Sequence, residues 1–453
     1  MEGPWELPRG WGWARLGDLC QINPKHDGSI PAECPVTFVP MAAVSKEVGA
    51  IINPQIRKYG EVRKGYTHFQ EGDVLFAKIT PCMENGKVAI ARGLLNGIGC
   101  GTTEFIVLRP SEGVLPEYIY AFVRREAFRN DAATHMTGTA GQLRVPVDYM
   151  REAPFPLAPL PEQRRIVAKI ETLFERSRAA RVALDRVPGL MSRLRQAALA
   201  KAFRGQNGEE GLPEGWKVVR LGEVCETASG GTPSRSTEEY YSGDVPWVKS
   251  GELGDGVVRD TEEKITKDAL ENSSAKIFPK GTLLIALYGA TVGKLGLLDI
   301  DAATNQAVCG IFENKEVLIR DYLRFYLLSI RQELIKRSFG GAQPNISQSL
   351  LRDLEIPLAP LPEQRRILSG IESLFSHALV IEAATQAARE QLERLDQATL
   401  AKAFRGALVE RDPNDEPAKV PLERMRTRTE APHSRARGKV RGRASGLKPE
   451  NPG

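Results

Sequence analysis

A ten-residue sequence, LAPLPEQRRI, occurs twice in this chain of 453 residues, at 157–166 and again at 358–367. The two copies are identical and stand 201 residues apart. The chain is therefore a tandem duplication, and its fold must contain one structural unit twice. Two flanking stretches recur in the same order: LPRGW at 7–11 returns as LPEGW at 212–216, and QAALAKAFRG at 196–205 returns as QATLAKAFRG at 397–406.

The character of the sequence changes once within each repeat. Residues 1–156 and 207–357 are rich in Gly, Pro and short apolar runs between turn residues, which is typical of strands and loops. The residues at 157–206 and 358–406 carry apolar side chains at alternating steps of four and three, which indicates a coiled-coil helix. The predicted inward positions are Ile166, Ile170, Leu173, Ser177, Ala180, Leu184, Val187, Met191, Leu194 and Ala198, and then Ile367, Ile371, Leu374, Ala378, Ile381, Leu392 and Leu395.

This pattern predicts an α+β fold in which two globular mixed α/β domains are separated by two long antiparallel coiled-coil helices with pseudo-two-fold symmetry. Since no other long helical segment is available, the two helices should pack on each other. Pro188 and Gly189 fall inside the first helix, where proline removes one backbone hydrogen bond, so we expect a kink or a break there. Residues 407–453 are predicted to be a disordered basic tail.

The location of the charge matters more than its sum of +5. Residues 411–453 contain 11 Lys or Arg and 6 Asp or Glu, so the rest of the chain has no net charge. The stretch SRARGKVRGRASG at 434–446 could contact phosphates without reading sequence, and a merely solubilising role is an equal alternative.

Targeting and metal signals are missing from the sequence. Neither an N-terminal signal pattern nor an unbroken apolar segment of membrane length is visible, so we expect a cytoplasmic protein. The six cysteines and five histidines are scattered without a C-x-x-C pair. We therefore expect buried free thiols and no metal site.

Two longer segments complete the set of motifs: GDVLFAKITPCMENGK at 72–87 and SGGTPSRSTEEYYSGDVPWVKSG at 229–251. Together with the PLPEQRRI helix starts and the two-repeat layout, they resemble the DNA-specificity (S, or HsdS) subunit of type I restriction-modification systems over residues 1–406. The departures from that family are Pro188–Gly189 and the tail.

The resemblance implies two target-recognition domains, each of which reads one half of an interrupted site in double-stranded DNA. It implies that the helices space these domains and dock two methyltransferase subunits, while ATP-driven restriction and translocase subunits join for cleavage. It also implies that this chain holds no cofactor, with S-adenosylmethionine, ATP and Mg expected in the partner subunits.

Base edges are distinguished by Arg or Lys at guanine, Asn or Gln at adenine, and small side chains at thymine methyl groups. Residues of these types in glycine-rich loops are the candidate DNA contacts, although each one taken alone could equally be an ordinary turn or surface residue. The candidates are Lys78, Thr80, Glu84, Asn85, Lys87, Gln142 and Arg144 in the first domain, and Thr232, Ser234, Arg235, Lys249, Lys294, Gln343 and Asn345 in the second.

Catalytic motifs fail on inspection. Asn53-Pro54-Gln55-Ile56 departs at two positions from a methyltransferase motif, and the Gly289–Leu295 stretch has the wrong glycine spacing for a phosphate loop. Glu262-Glu263-Lys264 is too common a triplet to indicate a nuclease. We therefore expect a non-catalytic specificity subunit. The alternative is a coiled-coil scaffold that joins two globular domains for protein assembly without DNA recognition.

Overall fold

The computed structural model describes residues 3–139, 141–203, 212–337 and 345–430, with side chains described as far as residue 424. The chain divides into two units. Unit 1 comprises Met1–Val182 and Arg389–Gly453, and unit 2 comprises Ala183–Ala388. Each unit therefore contains one globular domain together with helical segments from both repeats. We call the globular part of unit 1 domain 1 and that of unit 2 domain 2.

Domain 1 contains two four-stranded sheets and a separate strand pair, with short 3-10 turns at Met41–Ala43 and Leu95–Gly97. Its elements are β1 (Gly12–Arg15), α1 (Leu16–Leu19), β2 (Cys20–Ile22), β3 (Pro35–Val39), β4 (Gln55–Lys58), α2 (Tyr59–Val62), β5 (Thr67–Gln70), β6 (Val74–Ala77), β7 (Val88–Ile90), β8 (Ile98–Gly101), β9 (Phe105–Pro110), α3 (Pro116–Val123), α4 (Glu126–Thr134), α5 (Val147–Glu152) and β10 (Pro154–Leu157).

The sheets of domain 1 have the strand orders β2-β9-β6-β7 and β4-β3-β8-β5, and β1 pairs with β10. Successive side chains of strand β6 point to opposite faces of the sheet, and both faces are buried. Val74 and Phe76 pack in the core that contains α3, whereas Leu75 and Ala77 pack in a second core with Phe69 of the other sheet. Helix and sheet thus cover the two faces of β6.

The first long helix is broken where the sequence predicts. It comprises α6 (Leu160–Asp185) and α7 (Val187–Ala202), which meet at Arg186. Pro188 lies in the first turn of α7, where a missing N–H group is tolerated. The expectation of a kink or break at Pro188–Gly189 is confirmed.

Domain 2 repeats the same architecture, with 3-10 turns at Glu238–Tyr241 and Ser250–Glu252. Its elements are β11 (Lys217–Arg220), α8 (Leu221–Val224), β12 (Cys225–Ser229), β13 (Val245–Val248), β14 (Val257–Val258), β15 (Glu263–Ile265), α9 (Lys267–Glu271), β16 (Ile277–Phe278), β17 (Leu283–Ala286), β18 (Leu295–Leu298), β19 (Ala302–Thr304), β20 (Val308–Glu313), α10 (Arg320–Arg337), α11 (Gln348–Arg352) and β21 (Glu355–Leu358).

The strand orders show the duplication more fully than the sequence does. The sheets of domain 2 are β12-β20-β17-β18-β14 and β15-β13-β19-β16, and β11 pairs with β21. Each strand of domain 1 has a counterpart at the same place, and β14 is the one addition among the described strands. The predicted α+β class and tandem repeat are confirmed.

The second long helix, α12 (Leu361–Ala403), is continuous. Its start and its end pack in different units, each time antiparallel to the first helix. In unit 1, Ile166 and Ile170 share a core with Leu400 and Phe404. In unit 2, the core instead joins Leu199, Phe203, Leu368 and Ile371.

The predicted inward positions are correct near the helix starts but shift by one residue at two places from the middle of α12 onward. Ile381 and Leu395 are 43% and 57% exposed. The adjacent Glu382 and Asp396 face the partner helix instead, where each accepts a hydrogen bond from an arginine. Leu194 of α7 is likewise exposed. A search for periodic apolar residues cannot detect positions at which the two helices are joined by ion pairs.

A buried glutamine accounts for part of the duplicated LAPLPEQRRI sequence. Gln163 and Gln364 are fully buried at the starts of α6 and α12. The Gln163 amide accepts a hydrogen bond from Leu115 N and donates to the Ala158 and Gly113 carbonyls. Gln364 makes the same three contacts with the Ile319, Ala359 and Val317 backbone. Each glutamine thus ties a helix start to its own domain.

The prediction of a disordered tail is wrong for residues 407–424. Helix α13 (Lys419–Glu430) follows an irregular segment, and the side chains of Ala418 and Leu422 are buried in the core of unit 1. Asp415 also lies 2.7 Å from the Arg165 guanidinium. The prediction failed because the high charge of this segment outweighed its few apolar residues, two of which pack in the core. The stretch SRARGKVRGRASG lies outside the described residues.

One of the described helices, α12, is long and apolar enough to cross a membrane, judged by length and composition alone. The sequence pattern predicts no such segment. Leu368 and Ile371 on this helix are buried in the core of unit 2, and its Glu382 is paired with Arg195. A helix that packs inside a water-soluble protein passes the same test, so we infer no membrane span from it.

Candidate nucleic-acid interface

In domain 1, the loop between β6 and β7 carries the first group of candidates, from Lys78 to Lys87. This loop lies against residues 141–145, because Ile79 forms an antiparallel bridge with Arg144. Thr80 fixes the junction. Its backbone N donates to Leu143 O at 2.9 Å, and its Oγ1 accepts from Leu143 N at 3.1 Å. The structure therefore brings Gln142 and Arg144 to the loop that carries the other candidates of this domain.

The candidates of domain 1 fall into anchoring and available side chains. Arg144 is an anchor, since its guanidinium donates to both oxygens of Glu104 at 2.9 and 3.0 Å, and this hydrogen bonding raises the pKa of Arg144. Lys87 is also engaged, with Nζ 3.2 Å from Met41 O. The available side chains lack a hydrogen-bond or ion-pair partner among the described residues: Lys78, Glu84, Asn85 and Gln142.

The equivalent loop of domain 2, Leu287–Lys294 between β17 and β18, is held in the same way. Tyr288 forms an antiparallel bridge with Asn345, as Ile79 does with Arg144. Lys294 Nζ lies 2.9 Å from Asp255, which Arg331 also contacts. Burial opposes ionisation of Asp255, but hydrogen bonds from Leu295 N and these cations hold its pKa below the usual value. Gln343 lies outside the described residues.

The remaining candidates of domain 2 surround the start of β15. Arg235 lies 2.8 Å from Glu263 and its guanidinium stacks on Tyr241, 4.1 Å from the ring centroid. Lys249 bridges Glu262 and Glu263 at 2.9 and 3.0 Å. The hydrogen bond from Arg235 is the main cause of the lowered pKa of Glu263. The triplet at 262–264 thus supplies ion-pair partners for two candidates.

Thr232 and Ser234 are held at the rim of this cluster. Thr232 Oγ1 donates to Gln306 Oε1, and the Ser234 and Ser236 hydroxyl groups lie 2.7 Å apart. The loop that contains Lys294 reaches the same region, because Thr291 Oγ1 donates to Ser250 O at 2.7 Å. Lys249 is therefore adjacent to the loop that carries Lys294.

Sequence reasoning missed the carboxylates that hold the candidate cations. Glu104 anchors Arg144, Asp255 anchors Lys294, and Glu263 anchors both Arg235 and Lys249. No local signal could have identified Glu104 or Asp255, since each is about forty residues from its partner along the chain. These pairs reduce the positive charge that a phosphate backbone would meet at each loop.

Comparison with known proteins identifies the family. The sequence profile described as "Type I restriction modification DNA specificity domain" matches residues 8–181 and 213–391. The chain is 40% identical over 231 residues to the type I restriction enzyme EcoEI specificity subunit of Escherichia coli. That match covers 50% of this chain but only 38% of the relative's length. The E. coli EcoAI specificity subunit is 39% identical over 231 residues, and that match also covers 38% of the relative's length.

Solved structures extend the similarity to most of the chain. The HsdS subunit from Thermoanaerobacter tengcongensis has a TM-score of 0.62 at 30% identity, covering 90% of this chain and 99% of that one. A chain from a structural study of complex assembly and conformational transition of the type I R-M system has a TM-score of 0.72 at 30% identity, covering 89% and 100%. With both repeats matched, this chain belongs to the type I restriction-modification DNA specificity family.

Proposed function

We propose that this chain is the specificity subunit of a type I restriction-modification complex, and that each domain reads one half of a bipartite site in double-stranded DNA. One observation carries the proposal. The same strand order is built twice, and at the same place in each domain it presents a loop of different sequence, 78–87 in domain 1 and 287–294 in domain 2. A duplicated frame with dissimilar loops suits one task on two targets.

The available side chains fit base recognition in domain 1. Asn85 and Gln142 can pair with adenine and Lys78 can donate to guanine, whereas Arg144 and Thr80 hold the loop that presents them. In domain 2, Arg235 and Lys249 must exchange their carboxylate partners for DNA if they contact it. Such an exchange gains little affinity, which favours readout in which partner subunits supply most of the phosphate contacts.

The long helices supply the surface for those partners. In unit 2, Leu190 on α7 and Leu379 and Val380 on α12 are between 47% and 67% exposed, so these apolar side chains are available to a partner. Two methyltransferase subunits would dock on the helices, with restriction and translocase subunits added for cleavage. The chain itself would be non-catalytic and cytoplasmic, with S-adenosylmethionine, ATP and Mg bound in those subunits.

An exchange of domains tests the proposal. Residues 207–357 are replaced by the same region of a relative with a different site, and methylated adenines are mapped in cells that also contain the partner subunits. We expect one half-site to change and the other to stay. The reciprocal exchange of residues 1–156 should change only the half-site that the first exchange left unaltered. If both halves change or neither does, the assignment of one domain to one half-site is wrong. A scaffold without DNA recognition would leave the methylated site unaltered in both chimeras.

A further inference from the structure

Three potential metal ligands that are not among the candidate DNA contacts meet in domain 1. His26 follows β2, His68 lies on β5 and Cys100 lies on β8. One ring nitrogen of each histidine and the Cys100 sulfur all lie within 4.8 Å of one another. The two imidazole rings are stacked, with centroids 4.5 Å apart and an interplanar angle of 11°.

The hydrogen bonds of the histidines place the ring proton on the same nitrogen, Nε2, in both rings. His26 Nε2 lies 2.9 Å from Phe69 O, and His68 Nε2 lies 2.9 Å from Arg63 O. A carbonyl oxygen only accepts, so each Nε2 carries the proton and each Nδ1 carries a lone pair. In a metal-binding histidine, the ring nitrogen that does not bind the metal commonly donates its N–H to a backbone carbonyl or a carboxylate, which fixes the orientation of the ring.

The Nδ1 lone pair of His26 is buried. Among the residues that the structure describes, no group donates a hydrogen bond to it, which is a cost that a bound cation would remove. The Nδ1 atom of His68 accepts from the His26 backbone N at 3.3 Å, a long contact. Cys100 is fully buried, and burial raises the pKa of its thiol to about 12.

Domain 2 shows that the fold does not require these side chains. In domain 1, Cys100 pairs with Phe38 on one side and His68 on the other. At the same register in domain 2, Ala303 pairs with Trp247 and Ile277. The counterparts of His68 and Cys100 are therefore apolar, and the sheet forms with the same strand order.

We propose that His26, His68 and Cys100 bind one zinc ion, which ties the segment after β2 to the second sheet of domain 1. Zinc takes two nitrogen ligands and one thiolate with a water molecule in the fourth position, and the thiol proton is released to solvent on binding. From zinc bond lengths of about 2.0–2.3 Å, tetrahedral ligand atoms lie about 3.3–3.7 Å apart, so the three atoms must close by about 1 Å. The ligands are 42 and 32 residues apart along the chain, which hides the site from any spacing motif.

The test measures zinc in the full chain, purified without a histidine tag, reconstituted with one equivalent of zinc and freed of excess metal by gel filtration. We expect about one zinc per chain in the native protein. Cys100→Ala and His68→Ile, which copy domain 2, should lower the occupancy at least tenfold. Cys20→Ser is the matched control, because Cys20 is a buried cysteine of the same domain outside the cluster, and it should keep its zinc.

Cobalt(II) in place of zinc gives a second readout that reports the ligand. A thiolate-to-cobalt charge-transfer band should be present in the native chain and in Cys20→Ser, and absent in Cys100→Ala. Circular dichroism separates loss of metal from loss of fold. A native chain that is free of metal after gel filtration would overturn the proposal. A folded Cys100→Ala variant that retains zinc, or that shows the charge-transfer band when loaded with cobalt(II), would also overturn it.

Discussion

The Arg181 guanidinium on α6 lies 2.7 Å from the Asp396 carboxylate on α12. Unit 2 repeats this relationship, with Arg195 on α7 at 2.8 Å from Glu382 on α12. At the repeat offset of 201 residues, Arg181 corresponds to Glu382 and Arg195 to Asp396. The first-repeat helix is therefore basic at both positions and the second-repeat helix acidic at both. Like repeats placed together would face like charges, so the pairs favour unlike repeats.

A double-mutant cycle on the first pair should detect direct coupling. Both side chains are partly exposed, so Arg181→Ala and Asp396→Ala should each cost about 1 kcal/mol or less. The double variant should lose less than the sum of the two single variants, because the second substitution removes a group that has already lost its partner. Urea denaturation of the four proteins measures the coupling, and strict additivity would show that the pair contributes nothing.

Reversal of all four charges should restore what reversal of two removes. Arg181→Glu with Arg195→Glu places carboxylates opposite Asp396 and Glu382, and the midpoint of thermal unfolding should fall and recover partly with added salt. Adding Glu382→Arg and Asp396→Arg should return the midpoint close to that of the native chain. If the fourfold variant stays as unstable as the double variant, the local surroundings, and not the charge pattern, select these residues.

The buried glutamines should be sensitive to any substitution that removes the amide. Gln163→Leu leaves Leu115 N and two carbonyl groups without partners, and each unsatisfied buried group costs about 1–3 kcal/mol. Gln364→Leu should cost a similar amount in unit 2, because its three contacts are equivalent. The adjacent Arg164→Ala and Arg365→Ala are exposed controls and should leave the unfolding midpoint nearly unchanged. Equal midpoints for all four variants would contradict the assigned role.

Two basic candidates of domain 1 should behave differently when they are replaced by alanine. The Lys78 side chain has no hydrogen-bond or ion-pair partner among the described residues, so Lys78→Ala should weaken binding to the cognate site in the assembled complex without lowering stability. Arg144→Ala should lower the unfolding midpoint, since it leaves the partly buried Glu104 unpaired. Titration with labelled duplex and differential scanning calorimetry separate the two effects. A Lys78→Ala variant that binds DNA normally would remove this residue from the interface.

Truncation at two points should separate the packed and the basic parts of the C-terminal region. Removal of residues 407–453 exposes the core of unit 1 where Ala418 and Leu422 pack, so stability should fall. Removal of residues 431–453 alone should leave stability unchanged and weaken binding to cognate and random duplexes equally. It should also flatten the salt dependence by close to one unit of log-log slope for each phosphate that the shortened chain no longer neutralises. An unchanged slope would show that the basic stretch does not bind DNA.

The sequence predicted the frame of the molecule well and the detail of its contacts poorly. The duplicated motifs and the heptad pattern were sufficient for two α+β domains with antiparallel helices, because those signals are local or periodic. The shift from Ile381 to Glu382 was missed because charged residues in a seam carry no hydrophobic period. The contacts of Gln163 and the pairing of Arg144 with Glu104 depend on segments that only the folded chain brings together.

The packing of Phe404 has a consequence for how such a chain could arise. Its ring lies 4.8 Å from Tyr118 and 5.2 Å from Phe122, and Phe203 occupies the corresponding place beside Tyr322 in unit 2. Each globular domain is therefore completed by the helix end of the other repeat. A protein with a single repeat would expose the aromatic residues that this helix end covers. Its own helix end would have no domain of another repeat to pack against. Two such molecules could cover each other's surfaces by exchanging helix ends, and the fused chain has the packing that a helix-swapped dimer of single repeats would have.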